Sequence, residues 1–248
     1  FYCFYCSSAY ALSSDWSVGE ASKLRLISPY SQIQEKNLII GLEYKMEPGW
    51  KTYWKSPGDG GFAQTIKWEK SSNVKNINIL WPTPVEFEIL GLTSLGYQNN
   101  VIFPLDVEIE EEFTDTLINL QINFLICKDI CIPGDARIFL EIPAGEKKIT
   151  NNYFHVEQAL SLLPKNDYKN SYLKEIKANV FKNKRLSTIQ IQFESEKIFF
   201  NPEIFLHTPF GLPVIKNTIS YSANNKKITA DFNFDNSLII KETFPLEV

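Results

Sequence analysis

Residues 119–143 read NLQINFLICKDICIPGDARIFLEIP, and the alternation within this stretch decides the fold. Leu120, Ile122, Phe124 and Ile126 share one parity, which predicts the core face of a strand. Asn119, Gln121, Asn123, Leu125 and Cys127 share the other. Downstream, Ile138, Leu140 and Ile142 alternate with Arg137, Phe139 and Glu141, so a second strand follows. Lys128, Asp129 and Ile130 lie between the two, and Pro133-Gly134 is a further turn signal. Parity therefore puts Cys127 off the buried face, near the end of a hairpin.

Cys127 and Cys131 are close enough in sequence for a turn to bring them within bonding range. A purely structural role is energetically weak. Closing a five-residue ring restricts the unfolded chain by about 2 kcal/mol, against about 4.7 for a hundred-residue loop. Small, accessible rings tend to be the exchangeable disulfides. Lys128 favours a neighbouring thiolate and Asp129 opposes it, so the residues alone leave open which thiol is activated. C-x-x-x-C spacing leaves three readings standing: redox exchange, a structural bond and metal binding. A closed zinc site wants four ligands, and His155, His207 and the single Met46 are remote from the pair in sequence. Neither a nucleophile elbow nor a glycine-rich phosphate loop is present.

Working outward, residues 37–45 and 101–109 are further candidate strands, with Val101, Phe103, Leu105, Val107 and Ile109 alternating cleanly. Short strands punctuated by Gly and Pro, with no long helical pattern before residue 145, predict an all-β, antiparallel sandwich. Residues 150–163 change period: Phe154, Val156, Ala159, Leu160 and Leu163 follow helical spacing, Thr150 to Asn152 offer N-caps and Pro164 ends the run. This predicts a linker helix within 146–175. Strand periodicity returns over 176–248, in Ile189, Ile191 and Phe193 and in Ile228, Ala230, Phe232 and Phe234, with a hairpin turn at 224–227. The expected organisation is a sandwich over 12–145, the linker, and a second, smaller β domain, truncated at its C-terminus.

The N-terminal FYCFYCSSAYA runs from apolar to small residues and ends Ala9-Tyr10-Ala11, resembling a signal-peptidase site. On that reading 1–11 is a signal-peptide remnant, Cys3 and Cys6 leave with it, and the mature chain keeps two cysteines; the alternative is an apolar N-terminal strand. The 248 residues carry 25 basic and 29 acidic side chains, a net charge of −4. That balance argues against nucleic acid as the main partner. At 44% hydrophobic and 22% charged the composition is globular, and no run of eighteen apolar residues predicts a membrane span.

Gly49-Trp50-Lys51-Thr52-Tyr53-Trp54-Lys55-Ser56-Pro57-Gly58-Asp59-Gly60-Gly61 resembles the GW-x-TYW-x-x-PGD-x-G signature of DsbD-like proteins, the N-terminal domains of thiol:disulfide interchange protein DsbD and its copper-tolerance relative ScsB. Trp81-Pro82-x-Pro84, Gly96-Tyr97, Phe103-Pro104 and Cys127-Lys128-Asp129-Ile130-Cys131-Ile132-Pro133 continue the resemblance in order. It implies an immunoglobulin-like sandwich, followed by a second β region as in ScsB-type members, and a periplasmic dithiol carrier that needs no cofactor. A membrane-embedded thiol reductase would reduce the pair, which would then reduce thioredoxin-like proteins. The resemblance makes Cys131 the attacking thiol and Cys127 the resolving one. It implies a capping loop between Pro84 and Tyr97, with Phe87 as shield and Glu86 and Glu88 beside it. Trp50, Tyr53, Trp54 and Asp59 are candidates for docking a partner, although aromatic residues on a sandwich also serve as core. Gly58, Gly60 and Gly61 are expected in a turn of positive φ. The pair is more closely spaced than in the enterobacterial form, and the membrane and thioredoxin domains of DsbD have no counterpart in these residues. The membrane half of the path is then expected on another polypeptide or elsewhere in a longer one. A stapled assembly module and a Cu(I)-binding module are the alternatives.

Overall fold

The computed structural model describes residues 11–165, 172–207 and 216–236. Most of the stretch read as a signal remnant, with Cys3 and Cys6, lies outside the described residues, as does 237–248. The strands are β1 (Ser17–Val18), β2 (Ser22–Ile27), β3 (Asn37–Met46), β4 (Lys51–Gly58), β5 (Thr65–Lys67), β6 (Val74–Ile79), β7 (Val85–Ile89), β8 (Leu92–Gln98), β9 (Asn100–Ile109), β10 (Thr116–Cys127) and β11 (Cys131–Ile142). The single helix among the described residues, α1 (Tyr153–Ser161), precedes β12 (Leu173–Lys182), β13 (Leu186–Ser195), β14 (Lys216–Tyr221) and β15 (Lys227–Asp235). No helix among them is long and apolar enough to cross a membrane.

β1–β11 form two antiparallel sheets, ordered β1-β2-β3-β9-β6 and β11-β10-β4-β8-β7, with β5 also paired to β10. This is the antiparallel sandwich that the alternation predicts, in the immunoglobulin-like form that the resemblance implies. Leu120, Ile122, Phe124 and Ile126 of β10 face Ile40, Leu42 and Tyr44 of β3 and Phe103, Leu105 and Val107 of β9 within one core. Aromatic rings fill its centre. Phe103 stands edge-on to Tyr44, Trp81 and Tyr97 at centroid distances of 5.4, 5.4 and 5.0 Å, a geometry worth about 0.5–1.5 kcal/mol per pair beyond burial.

Pro133-Gly134 is not a turn. β11 runs unbroken through it, with Leu125 opposite Pro133 and Phe124 opposite Gly134. Two local facts permit this. β11 is an edge strand, where a residue without an N–H breaks no ladder. A Cβ on Gly134 would come within 2.3 Å of the Phe124 ring, so the missing side chain makes room for that ring.

The helix spans Tyr153–Ser161 and is docked rather than suspended between regions. Val156 and Ala159 are buried, packed toward β3 and β9. Thr150, not Asn152, organises its start: Thr150 Oγ1 donates to Ser28 O at 2.6 Å and accepts from Asn152 N at 3.1 Å. At the other end Leu162 O accepts from Thr83 N and Thr83 Oγ1.

The remaining strands form a four-stranded antiparallel sheet, β12-β13-β15-β14, over a small core of Ile191, Leu206, Ala230, Phe232 and Phe234. The hairpin turn predicted near 224–227 closes with Ser222 N donating to Lys227 O and Asn225 at φ 52°. The chain before residue 208 returns to the first sandwich. Phe205 packs against its core, and His207 Nδ1 lies 2.6 Å from Ser56 Oγ on β4.

Two core tyrosines make the fold sensitive to alkali. Tyr97 donates to Pro82 O at 2.7 Å and Tyr44 donates to Gln64 Oε1, and burial raises both phenol pKa values above the usual 10. The unfolded chain therefore loses these protons first. The associated stability is intact below about pH 10 and falls above it, by roughly 1.4 kcal/mol per pH unit for each phenol. Denaturant melts are expected to show a stability plateau up to about pH 10 and a steep decline beyond it. In Tyr97→Phe the decline should be shallower.

Candidate functional site

At the end of the β10–β11 hairpin Cys127 stands directly opposite Cys131. The two are joined by a disulfide of 2.04 Å, with Cα atoms 4.1 Å apart. The turn between them is closed by Lys128 N donating to Ile130 O at 2.9 Å. Parity puts Cys127 on the side of β10 opposite the main core, as expected, but the side chain is not open to solvent. It is fully buried beneath a second apolar cluster made with Tyr53, Phe87, Ile89 and Leu125. Cys131 is exposed. One sulfur therefore belongs to a sheltered residue and the other to an accessible one.

β4 supplies the floor of this cluster. Its alternation sends Trp54 into the main core and Tyr53 to the outer side, and Thr52 Oγ1 donates to Leu125 O at 3.0 Å to pin β4 to β10. Tyr53 Oη donates to Cys127 Sγ at 3.0 Å and lies 3.9 Å from Cys131 Sγ. Burial raises the phenol pKa, so the hydroxyl remains a proton-bearing donor near neutral pH. Two close approaches hold the ring in place. A Cβ at Gly61, where φ is +86°, would fall 2.3 Å from the Tyr53 ring, and a Cβ at Gly96 on β8 would fall 2.0 Å from Thr52 O. Gly58 also has positive φ, but Gly60 does not, so two of the three glycines expected in that turn serve left-handed backbone.

The cover over Cys127 is a β-hairpin, not the loop implied by the resemblance. β7 and β8 pair antiparallel and reverse through Leu90-Gly91, both at positive φ, which suits a tight two-residue turn. Phe87 and Ile89 point inward and are buried, with the Phe87 and Tyr53 rings 6.0 Å apart. Glu86 and Glu88, on the opposite parity, are exposed.

The aromatic docking candidates divide differently. Tyr53, 2% exposed, and Trp54, 5% exposed, are interior residues, and Trp50 is half-buried against the main core. Asp59 is exposed in the turn after β4, its amide donating to Thr93 O at 2.9 Å; partial desolvation raises its carboxyl pKa, opposed by a backbone hydrogen bond with Thr93. Of the four, only Asp59 lies fully on the surface, with Trp50 half-buried.

The lysine that strand pairing sets opposite Cys127 is Lys51, not Lys128, its neighbour in sequence. Lys128 Nζ turns away to Pro48 O at 3.3 Å, its stem lying over Gly49. Lys51 is instead directly opposite Cys127 across the β4–β10 pairing, and its ammonium sits 5.6 Å from the centre of the Phe87 ring. Sequence reasoning passed over Lys51 and Ile89. Counting two residues back from Tyr53, and two on from Phe87, would have put both on the site's face. Among the described residues no group of three or more His, Cys, Asp or Glu side chains converges as metal ligands, and His207 is engaged with Ser56 and Trp54.

The site is thus an antiparallel sandwich carrying a half-sheltered disulfide at a hairpin end, one sulfur of which is accessible to an exchanging thiol. Residues 23–143 match the family model of the N-terminal domain of thiol:disulfide interchange protein DsbD, and the sandwich of this chain belongs to that family. No curated protein matches the chain. In fold it is similar to the crystal structure of the N-terminal periplasmic domain of ScsB from Proteus mirabilis, with a TM-score of 0.75 and 20% identity over 94% of this chain and 90% of that one. The likeness therefore takes in the second sheet as well as the sandwich.

Phe87→Ala opens the cover without touching either sulfur. It is expected to lower stability by about 3 kcal/mol. It should also speed reduction of the disulfide by dithiothreitol, followed by quenched alkylation under conditions where the variant stays folded.

Proposed function

We propose that the chain is a periplasmic dithiol/disulfide carrier, taking electrons from a membrane-embedded thiol reductase and passing them to thioredoxin-like proteins. The observation that carries this reading is the asymmetry of the pair: an exposed Cys131 bonded to a buried Cys127 whose sulfur accepts the Tyr53 hydroxyl proton in a hydrogen bond. Attack on a disulfide needs one reachable sulfur and a leaving thiolate that is stabilised. Family membership and the ScsB likeness support the periplasmic setting and the class of partners.

On loading, a partner thiolate attacks Cys131 Sγ. The S–S bond breaks, and its electron pair leaves with Cys127 Sγ, beside the Tyr53 hydroxyl. The partner's second thiol, once deprotonated, attacks the mixed disulfide at the partner's own sulfur and releases Cys131. Two electrons have then entered the pair, the partner holds the disulfide, and the two protons from its thiols balance those that Cys127 and Cys131 take up. Unloading runs in reverse. The Cys131 thiolate attacks an acceptor disulfide, and Cys127 then attacks Cys131 Sγ, restoring the ring and freeing the reduced acceptor.

Cys131→Ser is expected to abolish transfer to a thioredoxin-like protein bearing a C-x-x-C disulfide. Cys127→Ser should accumulate a mixed disulfide through Cys131, visible by non-reducing electrophoresis and mass spectrometry. Undiminished reduction of that protein by the chain with both cysteines replaced contradicts the proposal.

A further inference from the structure

The cation opposite the buried sulfur has no role in the scheme above. Lys51 is the cross-strand neighbour of Cys127, and directly opposed residues hold their Cβ atoms about 4.5–5.5 Å apart. It shares an outward face of β4 with Tyr53, two residues on, which itself reaches Cys127 Sγ. The side chain is half-buried, one N–H donates to Gly49 O at 3.2 Å, and the ammonium lies against the Phe87 ring. These two contacts account for it among the described residues; no carboxylate pairs with it. An ammonium has three N–H donors, so capacity remains for a further acceptor.

The oxidised pair offers no anion to this charge. Reduction creates one, in an apolar cluster where a bare thiolate is poorly solvated. The other charged groups of the surrounding elements are placed differently. Lys128 on the hairpin turn is directed to Pro48 O, and Asp129 is exposed. Glu86 and Glu88 are exposed on the outer parity of β7, and Tyr53 on β4 is a neutral phenol whose pKa burial raises further. Lys51 is the cation whose backbone position faces Cys127.

We propose that Lys51 is a positioning residue of the exchange reaction, its ammonium sealing the β7–β8 cover through the Phe87 ring while the pair is oxidised and serving as counter-charge to the Cys127 thiolate once the partner's dithiol has reduced it. The proposal rests on the carrier reading for its purpose, but not for its test. The contact that a new thiolate draws on is the same one that closes the cover, so reduction and loosening of the cover are linked through one side chain.

The experiment titrates Cys127 by its ultraviolet thiolate absorbance in the full chain carrying Cys131→Ser, with Lys51, Lys51→Met, Lys51→Gln or Lys51→Arg. Both neutral variants are expected to titrate at higher pH, lowering the thiolate fraction near neutrality by about tenfold, and Lys51→Arg should restore it. Hydrogen exchange at the Phe87 and Ile89 amides of the oxidised chain should be faster in Lys51→Met and near normal in Lys51→Arg. Superimposable titrations for Lys51 and Lys51→Met overturn the counter-charge role, and unchanged exchange at Phe87 overturns the seal. If the titrations superimpose while Cys127→Ser still traps a partner, the counter-charge role falls and the carrier reading stands. A shifted titration in a chain that traps no partner separates the two the other way.

Discussion

The register of the β10–β11 hairpin is the constraint on which the site depends. Cys127 and Cys131 meet because twelve consecutive cross-strand pairs, from Thr116 with Ile142 to Cys127 with Cys131, keep step without a bulge. A slip of one residue would turn Ile118, Leu120, Ile122, Phe124 and Ile126 out of the core as well as separating the sulfurs. The main core therefore enforces the geometry of the disulfide. Gly134 takes part in this, since the space above it holds the Phe124 ring that locks the last turns of the register.

Register alone would leave both sulfurs open. The asymmetry comes from β4 and the β7–β8 hairpin, which curl over the outer side of β10 and enclose Cys127 with Tyr53, Phe87, Ile89 and Leu125. Enclosure in apolar surroundings raises the cost of a thiolate, and the Tyr53 hydroxyl and the Lys51 ammonium are the groups on β4 placed to offset it. Glycine at 61 and 96 permits the close approach of backbone that puts Tyr53 within reach of Cys127. The GW-x-TYW-x-x-PGD-x-G signature thus acquires a physical content: its alternation gives Trp54 to the core and Tyr53 to the sulfur, and Gly61 leaves room for the Tyr53 ring.

Much of this was legible in the residues. The alternation within 119–127 and 101–109 yields β10 and β9 nearly to their ends. What failed has physical causes. Pro133-Gly134 carries turn chemistry but sits on an edge strand, where a missing N–H is harmless. Parity said which side of β10 Cys127 occupies but not that a distant hairpin folds over that side, because such burial is a tertiary contact with no local period. Lys128 looked like the relevant cation by adjacency in the chain, whereas its ammonium is held by Pro48 O and strand pairing sets Lys51 opposite Cys127. The docking of α1 and of Phe205 and His207 on the first sandwich likewise left no mark in periodicity.

The central claim is that the Cys127–Cys131 bond is exchangeable and not a staple. Its reduction potential, measured on the intact chain by equilibration with a thiol redox buffer and counted by alkylation, tests this most directly. A midpoint well above about −300 mV, within the range of disulfide carriers, is the predicted result, and a midpoint below that value would contradict the account.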